Sequence, residues 1–267
     1  MSLARTAAEL RAAQRLRYEV FVAELDARPP GADRLARLEA DRFDPHCDHI
    51  IVRDRSRPDA VAGGAIVGAC RVQPPEAAGE GFSSQAEFDI APLLARHAGL
   101  RFCEVGRSCV ARTHRTQRTI EVLWYGLWAY ACRAGIDVYF GTASLPGADP
   151  ERHRAVLAYL HARVGAPRDW AVDALGGGAV AMEGPTGGAM SRARALRAMP
   201  PLLRGYLRVN AHVGRSAFLD TAFSTTDVLV IARLALMPTG YRDRARRVTG
   251  LDLPKPSRPV GIPADLQ

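Results

Sequence analysis

The stretch from Arg101 to Trp124, RFCEVGRSCVARTHRTQRTIEVLW, constrains this chain more than any other. Its first half reads as a strand. Phe102, Val105 and Val110 are apolar, and Cys103 and Cys109 pack like small apolar residues. Gly106 inside that strand marks a bulge or a close backbone approach. From about Thr116 to Ala134 the spacing predicts a helix, with Ile120, Leu123, Trp124 and Leu127 on one face. Between them lies a cationic loop, Thr113 to Arg118. Strand, bulge, basic loop and helix suit a phosphate-bearing thioester, because the amides of a helix N-terminus attract anions.

Around this unit the periodicity predicts a helix from Thr6 to Leu25 and strands over His49–Arg53 and Val61–Val72. A short helix is expected over Ile90–His97, a buried strand over Ile136–Ala143 and a helix over Pro150–Val164. Three closing strands are expected at Leu207–Val213, Ala217–Phe223 and Asp227–Leu236. Residues 165–200 are broken by glycines, and the tail after Met237 is polar and proline-containing. One α/β domain with a mixed sheet accounts for this order.

Hydrophobic residues make up 48% of the 267, enough for an ordinary core. The net charge of +8 comes almost wholly from arginine, since Lys255 is the only lysine. Such a chain favours an acidic partner: a carrier protein, an anionic membrane surface or a polyanion. No nucleic-acid module or aromatic platform accompanies the charge, so no nucleic acid is expected. Five scattered cysteines imply a reducing cytoplasm, and no apolar leader is visible at the N-terminus. His46, Cys47 and His49 lie too close together for a closed metal site, so no metal is expected. Ser108 lacks the closing glycine of a nucleophile elbow.

Several segments occur in a suggestive order. They are Leu16-Arg-Tyr-Glu-Val-Phe21, Asp41-Arg-Phe-Asp44, Cys47-Asp-His49, Val67-Gly-Ala-Cys-Arg-Val72 and Glu104-Val-Gly-Arg-Ser108. Later come Phe140-Gly-Thr-Ala-Ser144 and Pro200-Pro-Leu-Leu-Arg-Gly-Tyr-Leu207. This order resembles the acyl-homoserine-lactone synthases and, more closely, the ornithine-lipid N-acyltransferases of the GNAT fold. The resemblance implies a GNAT-like α/β domain over residues 1–240. Its mixed, mostly antiparallel central sheet would carry a splayed bulge strand and be flanked by helices. Residues 165–200 would form an insertion or lid-like segment, and 241–267 a tail. The implied reaction moves a 3-hydroxyacyl chain from acyl carrier protein to the alpha-amine of L-ornithine. No cofactor would be bound; the acyl-phosphopantetheine arrives on its carrier. Two alternatives stay open: an acyl-homoserine-lactone synthase using S-adenosylmethionine, and a non-catalytic acyl- or membrane-binding domain. One departure stands out. The loop Arg115-Thr-Gln-Arg118-Thr-Ile120 lacks the glycines usual in this fold's phosphate loop, which disfavours free acetyl-CoA.

On this reading Glu104 is the general base, or an electrostatic anchor for the amine. Arg107 pairs with Glu104 or Asp44, or holds the substrate carboxylate, and Arg71 has similar standing. The backbone from Cys109 to Ala111 would stabilise the oxyanion. Asp41 and Asp44 would meet the side-chain ammonium of the acceptor, with Ser108 beside it. Arg115, Arg118 and Thr119 would hold the phosphate of the pantetheine arm. Tyr159 is a candidate to protonate the leaving thiolate. The arginine-rich run Met190–Arg208 suits a carrier protein or the inner face of the cell membrane.

Overall fold

The computed structural model describes residues 1–57, 63–184 and 192–254, with the side chains of Glu80 and 192–194 excepted. Strand β1 (Ser2–Leu3) leads into helix α1 (Ala7–Arg17), which Thr6 and Glu9 start with a reciprocal capping box. The helix continues as a π-helix over Tyr18–Glu24, an uncommon geometry often found at functional sites. Residues 26–47, irregular by sequence, contain a small hairpin of β2 (Ala32–Asp33) and β3 (Leu38–Glu39). Next come β4 (Asp48–Asp54), β5 (Ala65–Gln73), α2 (Ala91–Arg96), β6 (Phe102–Val110), α3 (Gln117–Ala134) and β7 (Val138–Pro146). The chain then forms α4 (Arg154–Val164), β8 (Ala179–Ala181), α5 (Arg192–Ala198), α6 (Pro201–Arg208), β9 (His212–Asp220), β10 (Thr225–Arg233) and α7 (Thr239–Thr249).

Eight strands make one sheet in the order β1-β4-β5-β6-β7-β10-β9-β8. Every pairing is antiparallel except β6 with β7. That parallel ladder spans only Phe102–Val138, Cys103–Tyr139 and Glu104–Phe140. Beyond Glu104 the two strands diverge, so the expected splayed strand is present. At the point of divergence a Cβ on Gly141 would collide with the Val105 carbonyl, so only glycine lets β7 approach this closely.

One face of the sheet packs against α3, α4, α5 and α6 through Val105, Leu123, Leu157, Leu160, Leu203 and Val230. The other carries Phe82, Phe88, Phe102, Phe140, Trp170, Leu229 and Ile231. Burial of each such side chain contributes roughly 1.5–3 kcal/mol. Trp170 and Met182, from the 165–200 segment, are both buried in these cores. The glycine-rich run at 185–188 and the start of the arginine-rich run lie outside the described residues.

Three expectations need correction. Leu207–Val213 is the end of α6 and the start of β9, so two closing strands replace three. The tail begins later than residue 241, because Thr239–Thr249 is a helix whose Tyr241 packs edge-on against Trp124 and Trp128. The last segment, 255–267, lies outside the described residues. The bulge falls at Arg107 and Ser108, where the register slips between Ala69–Cys109 and Arg71–Gly106. Arg107, not Gly106, takes the left-handed conformation, with φ +50°. Such backbone is costly for a non-glycine residue and collects at working sites. Among the described residues, no helix is long and apolar enough to cross a membrane.

Candidate active site

The site lies where β6 and β7 part. On the β5 side, six charged residues interlock. Arg17 reaches Glu39 and Asp44, the latter at 2.7 Å. Arg71 reaches Asp41 at 2.5 Å and Asp44 at 3.0 Å. Arg107 reaches Glu39 at 3.2 Å and Asp41 at 3.1 Å. Gln14 donates to the second oxygen of Asp44 at 2.9 Å. Three guanidiniums thus balance three carboxylates, mostly out of water. Burial would raise the Asp44 carboxyl, but Arg17, Arg71 and Gln14 outweigh it and hold it at about 2. For Asp41 burial is likewise overcome by Arg71 and Arg107, and its carboxyl stays low.

This arrangement changes several expected roles. Asp41 and Asp44 are fully engaged by arginines, so neither is available to a substrate ammonium. Arg107 does not pair with Glu104 or Asp44. It lies over the Phe223 ring at 4.7 Å, and its Nη1 has no partner among the described residues. Arg71 is nine-tenths or more buried and keeps one unpartnered nitrogen, Nη2. Glu39, brought in by the β2–β3 hairpin and wholly buried, was missed. Nothing in its local sequence marks it.

Glu104, 4% exposed, points to the turn Ser83–Ala86. Its Oε2 accepts from the Ser83 amide at 2.7 Å and the Ser83 hydroxyl at 2.9 Å. Its Oε1 accepts from the Ser84 amide at 2.7 Å, which leaves that oxygen a lone pair. Ser108 donates to the Cys70 sulfur at 3.1 Å. Burial pushes the Cys109 thiol up to about 12, so it is core packing rather than acid or nucleophile. The Ala111 amide donates to the Val67 carbonyl at 2.8 Å, which removes it from the expected oxyanion donors.

In the loop before α3, Arg115 turns away. It forms a two-pronged pair with Glu24 at 2.5 and 2.7 Å and donates to the Val110 carbonyl. Those hydrogen bonds are the main reason the Glu24 carboxyl is lowered. Arg118 is exposed and has no partner among the described residues. The Thr119 amide is capped by the Thr116 hydroxyl at 3.2 Å. Burial raises the Cys47 thiol to about 12, and the His49 ring meets the Asp44 carbonyl. Tyr159 packs against the main core.

On the α3 face, an apolar pocket opens at the divergence point itself. Val105, Phe140 and Gly141 form its floor, and Trp124, Tyr206 and Tyr241 form its walls. Trp124 and Tyr206 stack at 5.7 Å, an approach that Gly205 permits because any side chain there would strike the Trp124 ring. On the opposite face, Glu87, Asp220 and Asp227 converge. No role was assigned to any of the three from the sequence.

A family model described as "Acetyltransferase (GNAT) domain" matches residues 16–125. The chain is 45% identical over 242 residues to an L-ornithine N(alpha)-acyltransferase of Rhizobium meliloti, covering 90% of this chain and 81% of that one. It is 42% identical over 254 residues to the enzyme of the same name from Agrobacterium fabrum, covering 93% and 86%. Among solved structures it is similar to FeeM, an N-acyl amino acid synthase from uncultured soil microbes, at 12% identity and a TM-score of 0.44 over 91% and 98% of the two chains. With an order of segments, a splayed sheet and relatives that agree, this chain is an N-acyltransferase of the GNAT fold and belongs to the L-ornithine N(alpha)-acyltransferase family.

Proposed function

We propose that the chain transfers a 3-hydroxyacyl group from the phosphopantetheine arm of acyl carrier protein to the alpha-amine of L-ornithine, giving lyso-ornithine lipid. The observation that carries the acceptor and the reaction is identity of 40–45% to four L-ornithine N(alpha)-acyltransferases along 90% or more of the chain. The geometry fits the chemistry. Past Glu104 the β7-facing edge of β6 has no strand partner, which leaves backbone groups for an extended pantetheine arm. The pocket walled by Trp124, Tyr206 and Tyr241 takes the acyl chain next to the thioester. Exposed Arg112 and Arg118, with the opening amides of α3, meet the phosphate. Arg197 and Arg208, also exposed, extend the basic surface toward an acidic carrier or an anionic membrane.

The alpha-amine reacts only once deprotonated. A water held at the free lone pair of Glu104 Oε1 passes that proton to the carboxylate. The amine nitrogen then attacks the thioester carbonyl, the carbon–nitrogen bond forms, the carbon–sulfur bond breaks, and the proton the nitrogen sheds is taken up by the leaving thiolate. Arg107, through Nη1, holds the alpha-carboxylate of the acceptor.

Expression of the chain in a bacterium that lacks ornithine lipids tests the reading. Mass spectrometry of the lipids is expected to show 3-hydroxyacyl-ornithine with the acyl group on the alpha-nitrogen. Expression of folded protein with no new acylated amino acid would refute it.

A further inference from the structure

At the far end of the splay three carboxylates meet without an arginine. Glu87 closes the turn whose amides hold Glu104, Asp220 ends β9, and Asp227 stands on β10 opposite Ser144 and Phe218. One oxygen from each lies within 4.8 Å of the others. Asp220 uses Oδ1 to accept the Ala222 and Phe223 amides at 2.8 and 3.0 Å. Asp227 is only 3% exposed, yet its Oδ1 is buried with no hydrogen-bond partner, and Glu87 Oε2 is in the same state. Among the described residues no cationic side chain forms an ion pair with any of the three. Unpartnered buried carboxylate oxygens are expensive, and a cluster that keeps two of them is short of a cation.

We propose that Glu87, Asp220 and Asp227 form the site for a primary ammonium, the side-chain end of a diamino acid acceptor. An ammonium has three N–H donors, one for each carboxylate. Placement supports it. Phe140, Thr142 and Ser144 of β7 face Ile231, Leu229 and Asp227 of β10, so the cluster lies on the face of the sheet opposite the apolar pocket. The charge of Arg107 is felt at Glu87 and Asp227, while its own bonds go to Glu39 and Asp41. A free amino acid with a cationic side chain then has a partner at each end. Its carboxylate meets Arg107, its side-chain ammonium meets the acids, and the alpha-amine lies between them. Burial and repulsion among the acids raise Glu87 to about 8 and, with Thr225 and Ser144 opposing, Asp227 to about 6, a cost that an entering cation relieves.

The inference rests on the acyltransferase reading above, and the test separates the two. Purified full-length protein is given 3-hydroxyacyl carrier protein with either L-ornithine or L-2-aminopentanoic acid, which matches ornithine but lacks the terminal ammonium. The wild type is expected to prefer ornithine by about 100-fold in kcat/KM, the scale of a lost charged hydrogen bond. In Glu87→Gln and Asp227→Asn, that preference is expected to fall at least ~10-fold, chiefly through the KM for ornithine, with melting temperatures unchanged or raised. Equal loss on both acceptors, or a wild type indifferent to the terminal amine, would overturn the ammonium site. So would loss of wild-type activity in EDTA restored by a divalent cation, since the acids would then hold a metal. Failure of the wild type to acylate either acceptor would strike the acyltransferase reading itself.

Discussion

The molecule contains two trios of carboxylates, and they have opposite surroundings. Glu39, Asp41 and Asp44 are threaded through Arg17, Arg71 and Arg107, charge for charge. Glu87, Asp220 and Asp227 face one another with buried oxygens left over. The first trio holds its Asp44 carboxyl at about 2; in the second, burial lifts Glu87 to about 8. A carboxylate cluster whose charges are matched internally is part of the scaffold. One that is left unmatched is shaped for something that arrives from outside. Here the matched trio anchors the bulge at Arg107, and the unmatched trio lies across the splay from it.

Breaking the matched trio gives the largest expected effect. Asp44→Ala leaves Arg17 with Glu39 alone and Arg71 with Asp41 alone, so the buried network carries one positive charge in excess, and urea unfolding should show a loss of ~3–5 kcal/mol. Glu104 is intermediate, since its charge is met by neutral donors. Glu104→Gln should lower kcat about 100-fold, or ~2.7 kcal/mol, with a smaller change in the KM for ornithine. A mutant with near wild-type kcat would leave Glu104 as an anchor for the Ser83–Ala86 turn alone.

The unmatched trio should behave the other way. Glu87 is raised first by burial, then by Asp227 and Asp220, with Arg107 opposing and Glu104 adding to it. Its folded pKa of about 8 lies above the unfolded value near 4.3, so between the two the folded state binds the extra proton. Stability from this group is therefore present at low pH and lost as pH rises toward about 8. Glu87→Gln should be more stable than wild type at pH 8 by ~1–3 kcal/mol, and the gain should vanish near pH 4. Parallel stability curves for the two proteins would contradict the assignment. The smallest effect belongs to the exposed pair Arg115–Glu24: Arg115→Ala should cost less than ~1 kcal/mol.

The order of the longer strands and helices from α1 through β7 was legible because amphipathic periodicity and caps are local signals, while the two-residue strands β1, β2 and β3 were not. Thr116, Gln117 and Gly135 mark the ends of α3 in the sequence as they do in the fold. The C-terminal part was less so. The helix Thr239–Thr249 has few apolar residues and reads as tail, yet Tyr241 ties it to Trp124 and Trp128. The site was half visible. Glu104, Arg107, Arg71, Asp41 and Asp44 were picked out by their order along the chain, but not by their partners. Whether a carboxylate faces an arginine or a substrate is decided by tertiary neighbours. Glu87, Asp220 and Asp227 come from three distant segments with no shared motif, so only folding brings them into one place.

Direct assay of the purified chain with 3-hydroxyacyl carrier protein, offered ornithine and S-adenosylmethionine together, tests the central claim most directly. Tandem mass spectrometry is expected to find a single product, ornithine carrying the acyl group on its alpha-nitrogen. Acylation of the terminal nitrogen, or an acyl-homoserine lactone in its place, would contradict the account.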